Sequence, residues 1–99
     1  MNVTLLYFDD CPSWRVADAH LRALAAEQPE IVIERRIVDT ADDAEAIRFR
    51  GSPSIIVDGI DPFAEPDAPV GLACRIYQTP SGPAGSPTLE QLRSVICGV

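Results

Sequence analysis

Pro12 separates two kinds of sequence that cannot belong to the same element. Upstream, Val3-Thr4-Leu5-Leu6-Tyr7-Phe8 is a short, nearly continuous apolar run that stops at Asp9-Asp10, the pattern of a strand covered on both faces that runs into a turn. Downstream, Trp14, Ala17, Leu21, Leu24 and Ala25 recur at helical spacing between Pro12 and Glu27, while Arg15, Asp18, Arg22 and Glu27 lie off that stripe. Proline has no N–H to leave unpaired and its φ suits the first helical turn, so it belongs where a helix opens. A buried strand therefore feeds directly into a helix, and Cys11 is expected at the N-cap.

The remaining chain continues the alternation. Gln28-Pro29-Glu30 ends the first helix, and Ile31 to Val38 is rich in β-branched residues, predicting a second strand. Asp39 or Thr40 can cap a short helix from about Asp42 to Phe49, which stops before Gly51. Ser54 to Gly59 predicts a third strand with a turn behind it. The segment Ile60 to Gly71, with Pro62, Pro66 and Pro69, predicts a long loop. Leu72 to Tyr77 predicts a fourth strand, Gln78 to Pro87 another loop, and Thr88-Leu89-Glu90-Gln91 a capping box. The box opens a last helix whose Leu89, Leu92, Val95 and Ile96 are expected to face the sheet. The expectation is one α/β domain over residues 1–99, ordered β-α-β-α-β-β-α. A parallel first pair joined by a right-handed crossover, then an antiparallel hairpin, gives a four-stranded mixed sheet flanked by helices.

Charge narrows the choice of partner. The 99 residues carry 15 acids against 8 basic side chains, all arginine, for a net charge of −7 without a basic run. Neither nucleic acid nor an anionic membrane is an expected partner. No apolar run approaches the ~20 residues that span a bilayer, and no basic leader precedes the first strand, so a cytoplasmic location is expected. Cys11, Cys74 and Cys97 are odd in number and widely spaced, unlike a secreted disulfide framework, and are expected to be reduced. No cofactor and no metal site is expected.

Two motifs carry a family resemblance. Asp10-Cys11-Pro12-Ser13-Trp14 at the strand-to-helix turn, with Phe49-Arg50-Gly51-Ser52-Pro53-Ser54-Ile55-Ile56-Val57-Asp58-Gly59, resembles the thioredoxin-like superfamily, in which C-x-x-C opens the first helix. The resemblance implies that Cys11 is a redox thiol, with Pro12, Ser13 and Trp14 beside it. It also implies that Pro53 is cis next to that thiol, and that the backbone of Ser52 pairs with an incoming thiol-bearing partner. Trp14 stands where the family has its second cysteine. The resemblance therefore implies a single-thiol protein that forms mixed disulfides with a protein or low-molecular-weight thiol or disulfide. The C-P-x-x start is similar to that of glutaredoxins, without the basic residue those place before it. A looser likeness, through Cys11-Pro12-Ser13-Trp14, Asp61-Pro62-Phe63 and Gly71-Leu72-Ala73-Cys74-Arg75, is to short bacterial thioredoxin-family or alkylmercury-lyase-like proteins. It implies a soft-metal or organomercurial role for Cys11 with Cys74. A third alternative is a non-catalytic interaction module on the same fold.

Each candidate also has a plainer role. A helix N-terminus lowers the pKa of a thiol at Cys11, whereas Asp9 and Asp10 oppose ionisation, and the balance stays open. The plainer role of Cys11 is that of a small buried hydrophobe, set against the expected reactive thiol, and that of Trp14 is a core aromatic on the apolar stripe. Cys74 is expected as a packed core thiol and Cys97 as a thiol near the chain end, neither easily reaching Cys11. His20 is expected on the surface, too far along the helix to serve Cys11 as a base. Asp58, Asp61, Glu65 and Asp67 are expected in a solvated loop.

Overall fold

The computed structural model describes residues 1–64 and 69–97. Its elements in chain order are β1 (Asn2–Tyr7), α1 (Trp14–Glu27), β2 (Val32–Ile37), α2 (Ala41–Ile47), β3 (Ser54–Val57), β4 (Tyr77–Thr79), β5 (Gly82–Ala84) and α3 (Leu89–Cys97). The result is a small α/β fold. A three-stranded mixed sheet has the order β2-β1-β3, and β4 and β5 form a separate two-stranded hairpin.

The crossover through α1 makes β1 and β2 parallel, with Asn2 opposite Val32 and Tyr7 opposite Ile37. β3 runs antiparallel to β1, from Leu6 opposite Ser54 to Val3 opposite Val57. As the central strand, β1 buries Val3 and Leu5 completely. They meet Ala17, Leu21 and Leu24 of α1, Ile55 of β3, and Leu92 and Ile96 of α3 in the main core. A smaller cluster of Val38, Ala44 and Phe49 packs α2 against Leu6 and Phe8 on the other side.

The starts of α2 and α3 follow the predicted chemistry. The Thr40 side chain accepts from the backbone N–H of Asp43 at 3.0 Å and starts α2. At α3 the box is reciprocal: the Thr88 hydroxyl accepts from the Gln91 N–H at 3.1 Å, and the Gln91 side-chain carbonyl accepts from the Thr88 N–H at 2.9 Å. Together they satisfy two N–H groups that a helix start otherwise leaves without partners. Leu92 and Ile96 are buried as expected, whereas Val95 points outward with 36% of its surface exposed. Among the described residues no helix is long and apolar enough to cross a membrane.

The fourth strand is the main departure. Residues 72–76 form no strand of the sheet, and regular pairing resumes only at Tyr77, in a hairpin with β5 inside the predicted loop. The chain instead makes an isolated parallel bridge between Ser52 and Cys74. Phe49 O accepts from Gly71 N at 2.9 Å, Ser52 N donates to Ala73 O at 2.8 Å, and Arg75 N donates to Ser52 O at 2.9 Å. An antiparallel hairpin assumes a short return after β3. The long connection beyond Asp58 carries the chain back to the beginning of β3, so it runs parallel to residues 49–52. The predicted loop residues Glu65, Pro66 and Asp67 lie outside the described residues.

Candidate functional site: the Cys11–Cys74 pair

Cys11 follows the apolar end of β1, and its backbone N–H donates to Phe8 O at 3.0 Å. The helix N-cap is Ser13, not Cys11: residues 12 and 13 form a turn and α1 begins only at Trp14, and the Ser13 side chain makes no capping hydrogen bond. Trp14 N–H donates to the carbonyl of Cys11 at 3.4 Å and Arg15 N–H to Pro12 O at 3.1 Å, so the turn binds the Cys11 main chain rather than its sulfur. Cys11 is buried, with 1% of its surface exposed.

The structure corrects the expectation that Cys74 is a core thiol out of reach. Cys11 and Cys74 form a disulfide, with Cα atoms 5.9 Å apart across a sequence separation of 63. Cys74 is exposed, as are its neighbours Ala73 and Ile76. The single-thiol arrangement implied by Trp14 is corrected with it: the partner sulfur comes from the returning chain and not from the first helix. Cys97 is the free cysteine among the described residues. It is half-buried and packs at the margin of the main core.

Ser52 is the junction that sets the two cysteines face to face. It is fully buried, and its peptide bond to Pro53 is cis. Its backbone holds the segment bearing Cys74 through Ala73 and Arg75. Its hydroxyl accepts from Phe8 N at 2.9 Å and lies 3.5 Å from Phe8 O, the carbonyl that also receives the Cys11 N–H. One residue thus anchors both sides of the disulfide. The Ser52 backbone, which the resemblance reserves for an incoming partner, is occupied by the protein's own chain.

The segment after Cys74 is held by a polar clamp that the sequence reading did not identify. Arg75 is buried, and its guanidinium donates to Asp61 at 2.8 and 3.4 Å, to Phe63 O at 2.5 Å and to Ser54 Oγ at 3.3 Å. It lies 4.7 Å from the Tyr77 ring centre, and Phe63 meets the same ring edge-on at 5.4 Å. The Tyr77 hydroxyl donates to Pro53 O. Burial pushes this phenol above its ordinary pKa, and Arg75 opposes the shift only in part. Gly51 completes the clamp: its φ is +114°, and a Cβ there would stand 2.9 Å from Arg75 Cβ. Asp61 is thus an ion-pair partner rather than a solvated loop acid. Asp58 is likewise structural, with its side chain accepting from Asn2 N at 2.8 Å. Glu65 and Asp67 lie outside the described residues.

The remaining candidates are peripheral. Pro12 is exposed, and Ser13 lies against Gly85, where there is no room for a Cβ. Trp14 stacks on Tyr7 with ring centres 4.3 Å apart, and Arg15 and Arg35 sit 5.6 and 5.9 Å from it, so it packs as an aromatic on the helix stripe. Asp18, expected off that stripe, is nearly buried and is held by Arg22 at 3.0 Å and Arg35 at 3.7 Å. His20 is half-buried, and its Nδ1 has no hydrogen-bond partner. Among the described residues no three His, Cys, Asp or Glu side chains group as metal ligands. No family model, no curated protein and no solved structure matches the chain.

Proposed function

We propose that this chain is a thiol–disulfide redox protein of the thioredoxin-like superfamily, cycling between a Cys11–Cys74 disulfide and the corresponding dithiol. The observation that carries the proposal is the pair itself: a cysteine at the β1–α1 turn bonded to a cysteine on a segment that Ser52 holds in register. The parallel β1–β2 pair with β3 antiparallel beside β1 is consistent with the resemblance. Two thiols R–SH reduce the pair by way of a mixed disulfide and leave as R–S–S–R, with two electrons and two protons passing to the cysteines. In the other direction the dithiol reduces a partner's disulfide. Cys74 supplies the second sulfur that Trp14 does not. The exposed side of the pair favours a redox centre over a buried staple.

The test is equilibration of the folded chain in mixtures of reduced and oxidised dithiothreitol, followed by acid quenching, alkylation and intact mass. A single reversible two-electron transition assigned to Cys11 and Cys74 is expected. A disulfide that persists for hours in excess dithiothreitol, and yields only when denaturant is added, would show a structural cross-link and end the redox reading. The same proximity favours a second reading, in which the two thiolates of the reduced pair hold a soft cation such as Hg(II). One equivalent of Hg(II) bound by reduced wild type and lost in Cys74→Ala would support it.

A further inference from the structure

We infer that Cys74, not Cys11, is the sulfur that exchanges with the external partner, and that Cys11 is the internal leaving and resolving thiol. The inference rests on the redox function proposed above and fixes its direction. Access is the first argument. Cys11 has 1% of its surface exposed, enclosed where β1 ends and α1 begins, whereas Cys74 stands exposed, as do Ala73 before it and Ile76 beyond the buried Arg75. An attacking thiolate approaches a disulfide sulfur in line with the S–S bond, on the side away from the sulfur that leaves. Attack on Cys11 would require entry through the buried side, and attack on Cys74 starts from solvent.

The backbone supplies the second argument. A partner docking at Cys11 by pairing with Ser52 would need its N–H and C=O, and these are bonded to Ala73 and Arg75. The Arg75 clamp to Asp61, Phe63 and Ser54 and the Tyr77 bond to Pro53 do not involve the disulfide. Reduction therefore leaves the segment in place, with Cys74 still presented outward and Cys11 still behind it.

The third argument is the leaving group. External R–S⁻ attacks Cys74 Sγ, forming a Cys74–S–S–R bond, and the electron pair of the broken bond departs on Cys11 as a thiolate. That thiolate emerges two residues ahead of the Ser13 N-cap of the 14-residue helix α1, on the side toward which the positive end of the helix dipole points, although the N–H groups of the turn bond main-chain carbonyls. A second R–S⁻ then attacks the sulfur of R, releasing R–S–S–R and the Cys74 thiolate. Run backwards, Cys74 attacks a partner's disulfide, and Cys11 resolves the resulting adduct from behind.

Trapping decides the matter. Oxidised wild type is exposed briefly to 2-mercaptoethanol, an uncharged thiol, quenched in acid, alkylated with N-ethylmaleimide in denaturant, and mapped by peptide mass. The expected product carries the thiol on Cys74 and maleimide on Cys11, in at least tenfold excess over the reverse. A second measurement excludes migration of the adduct: reduced Cys11→Ala and Cys74→Ala are each treated with bis(2-hydroxyethyl) disulfide. Cys74 in the first variant should form its adduct at least tenfold faster than Cys11 in the second. Adducts mainly on Cys11, or equal rates in the two variants, would overturn the assignment while leaving the redox function intact. A disulfide that takes no thiol in the folded state would overturn both.

Discussion

Cutting the cross-link tests how much of the fold depends on it. The disulfide joins residues separated by 63 positions, and in the chain-entropy description closing a loop of that length removes about 14 cal/mol/K from the unfolded ensemble, or about 4 kcal/mol at 25 °C. A chain of this size is stable by roughly 5 to 15 kcal/mol, so the dithiol form should stay folded with a reduced margin. Cys74 is exposed and Cys11 buried, which makes Cys74→Ser the cleaner disruption: the new hydroxyl meets water rather than the core. Urea unfolding of oxidised wild type, reduced wild type and Cys74→Ser should place the last two together, about 4 kcal/mol below the first. Their midpoint temperatures should fall by roughly 20 °C. The oxidised chain should also show the smaller denaturant slope, because its unfolded state is tied into a ring. Linkage then requires the fold to favour disulfide formation by the same energy, about a thousandfold over the unfolded chain. A loss below about 1 kcal/mol, or a gap of more than 1 kcal/mol between reduced wild type and Cys74→Ser, would refute this reasoning.

Three further outcomes follow from the clamp and the caps. Gly51→Ala should cost about 2 kcal/mol and weaken disulfide formation, since it imposes a left-handed φ on alanine and drives a methyl into Arg75; Gly59→Ala, with φ +86° and open space, should cost less and leave the disulfide equilibrium unchanged. Urea curves and dithiothreitol equilibria separate the two effects. Thr88→Ala should lower stability by about 1 kcal/mol through loss of the α3 cap, read in the same urea assay. The Tyr77 phenol has a folded pKa raised mainly by burial, so it contributes stability below its unfolded pKa near 10 that is lost as pH rises above it. Tyr77→Phe should flatten that alkaline loss while costing about 1 to 2 kcal/mol at neutral pH, because Pro53 O loses its donor; an unchanged alkaline slope would refute the assignment.

The β-α-β half of the fold was legible because its signals are local. An apolar run, a proline at the first helical turn and an i, i+3, i+7 stripe each fix an element within a dozen residues, and the caps at Thr40 and Thr88 lie within single turns. What failed was long-range. Leu72-Ala73-Cys74-Arg75-Ile76-Tyr77 has the composition of a strand, yet Ala73 and Arg75 bond to Ser52, ahead of β3, and Tyr77 pairs with Ala84 in a separate hairpin. The cause is a buried arginine whose carboxylate partner sits 14 positions away in a loop that reads as solvated. No periodicity pairs Arg75 with Asp61, or Cys74 with Cys11. Of the candidate site, Cys11, Ser52 and Pro53 stand out in the sequence motifs and lie together in the structure, whereas Cys74 enters only through the looser likeness, because a regular fourth strand would carry it away from Cys11.

The covalent ring also divides the molecule mechanically. α1, β2, α2 and β3 lie between the joined cysteines, while β1, β4, β5 and α3 lie outside them, although β1 is the strand that separates β2 from β3. Tension applied beyond the two cysteines must therefore peel the central strand from both neighbours at once, and the 63-residue interval cannot lengthen while the sulfurs are joined. Reduction frees roughly 200 Å of hidden contour, at about 3.5 Å per residue. The redox state of one disulfide thus sets how far the protein can be stretched.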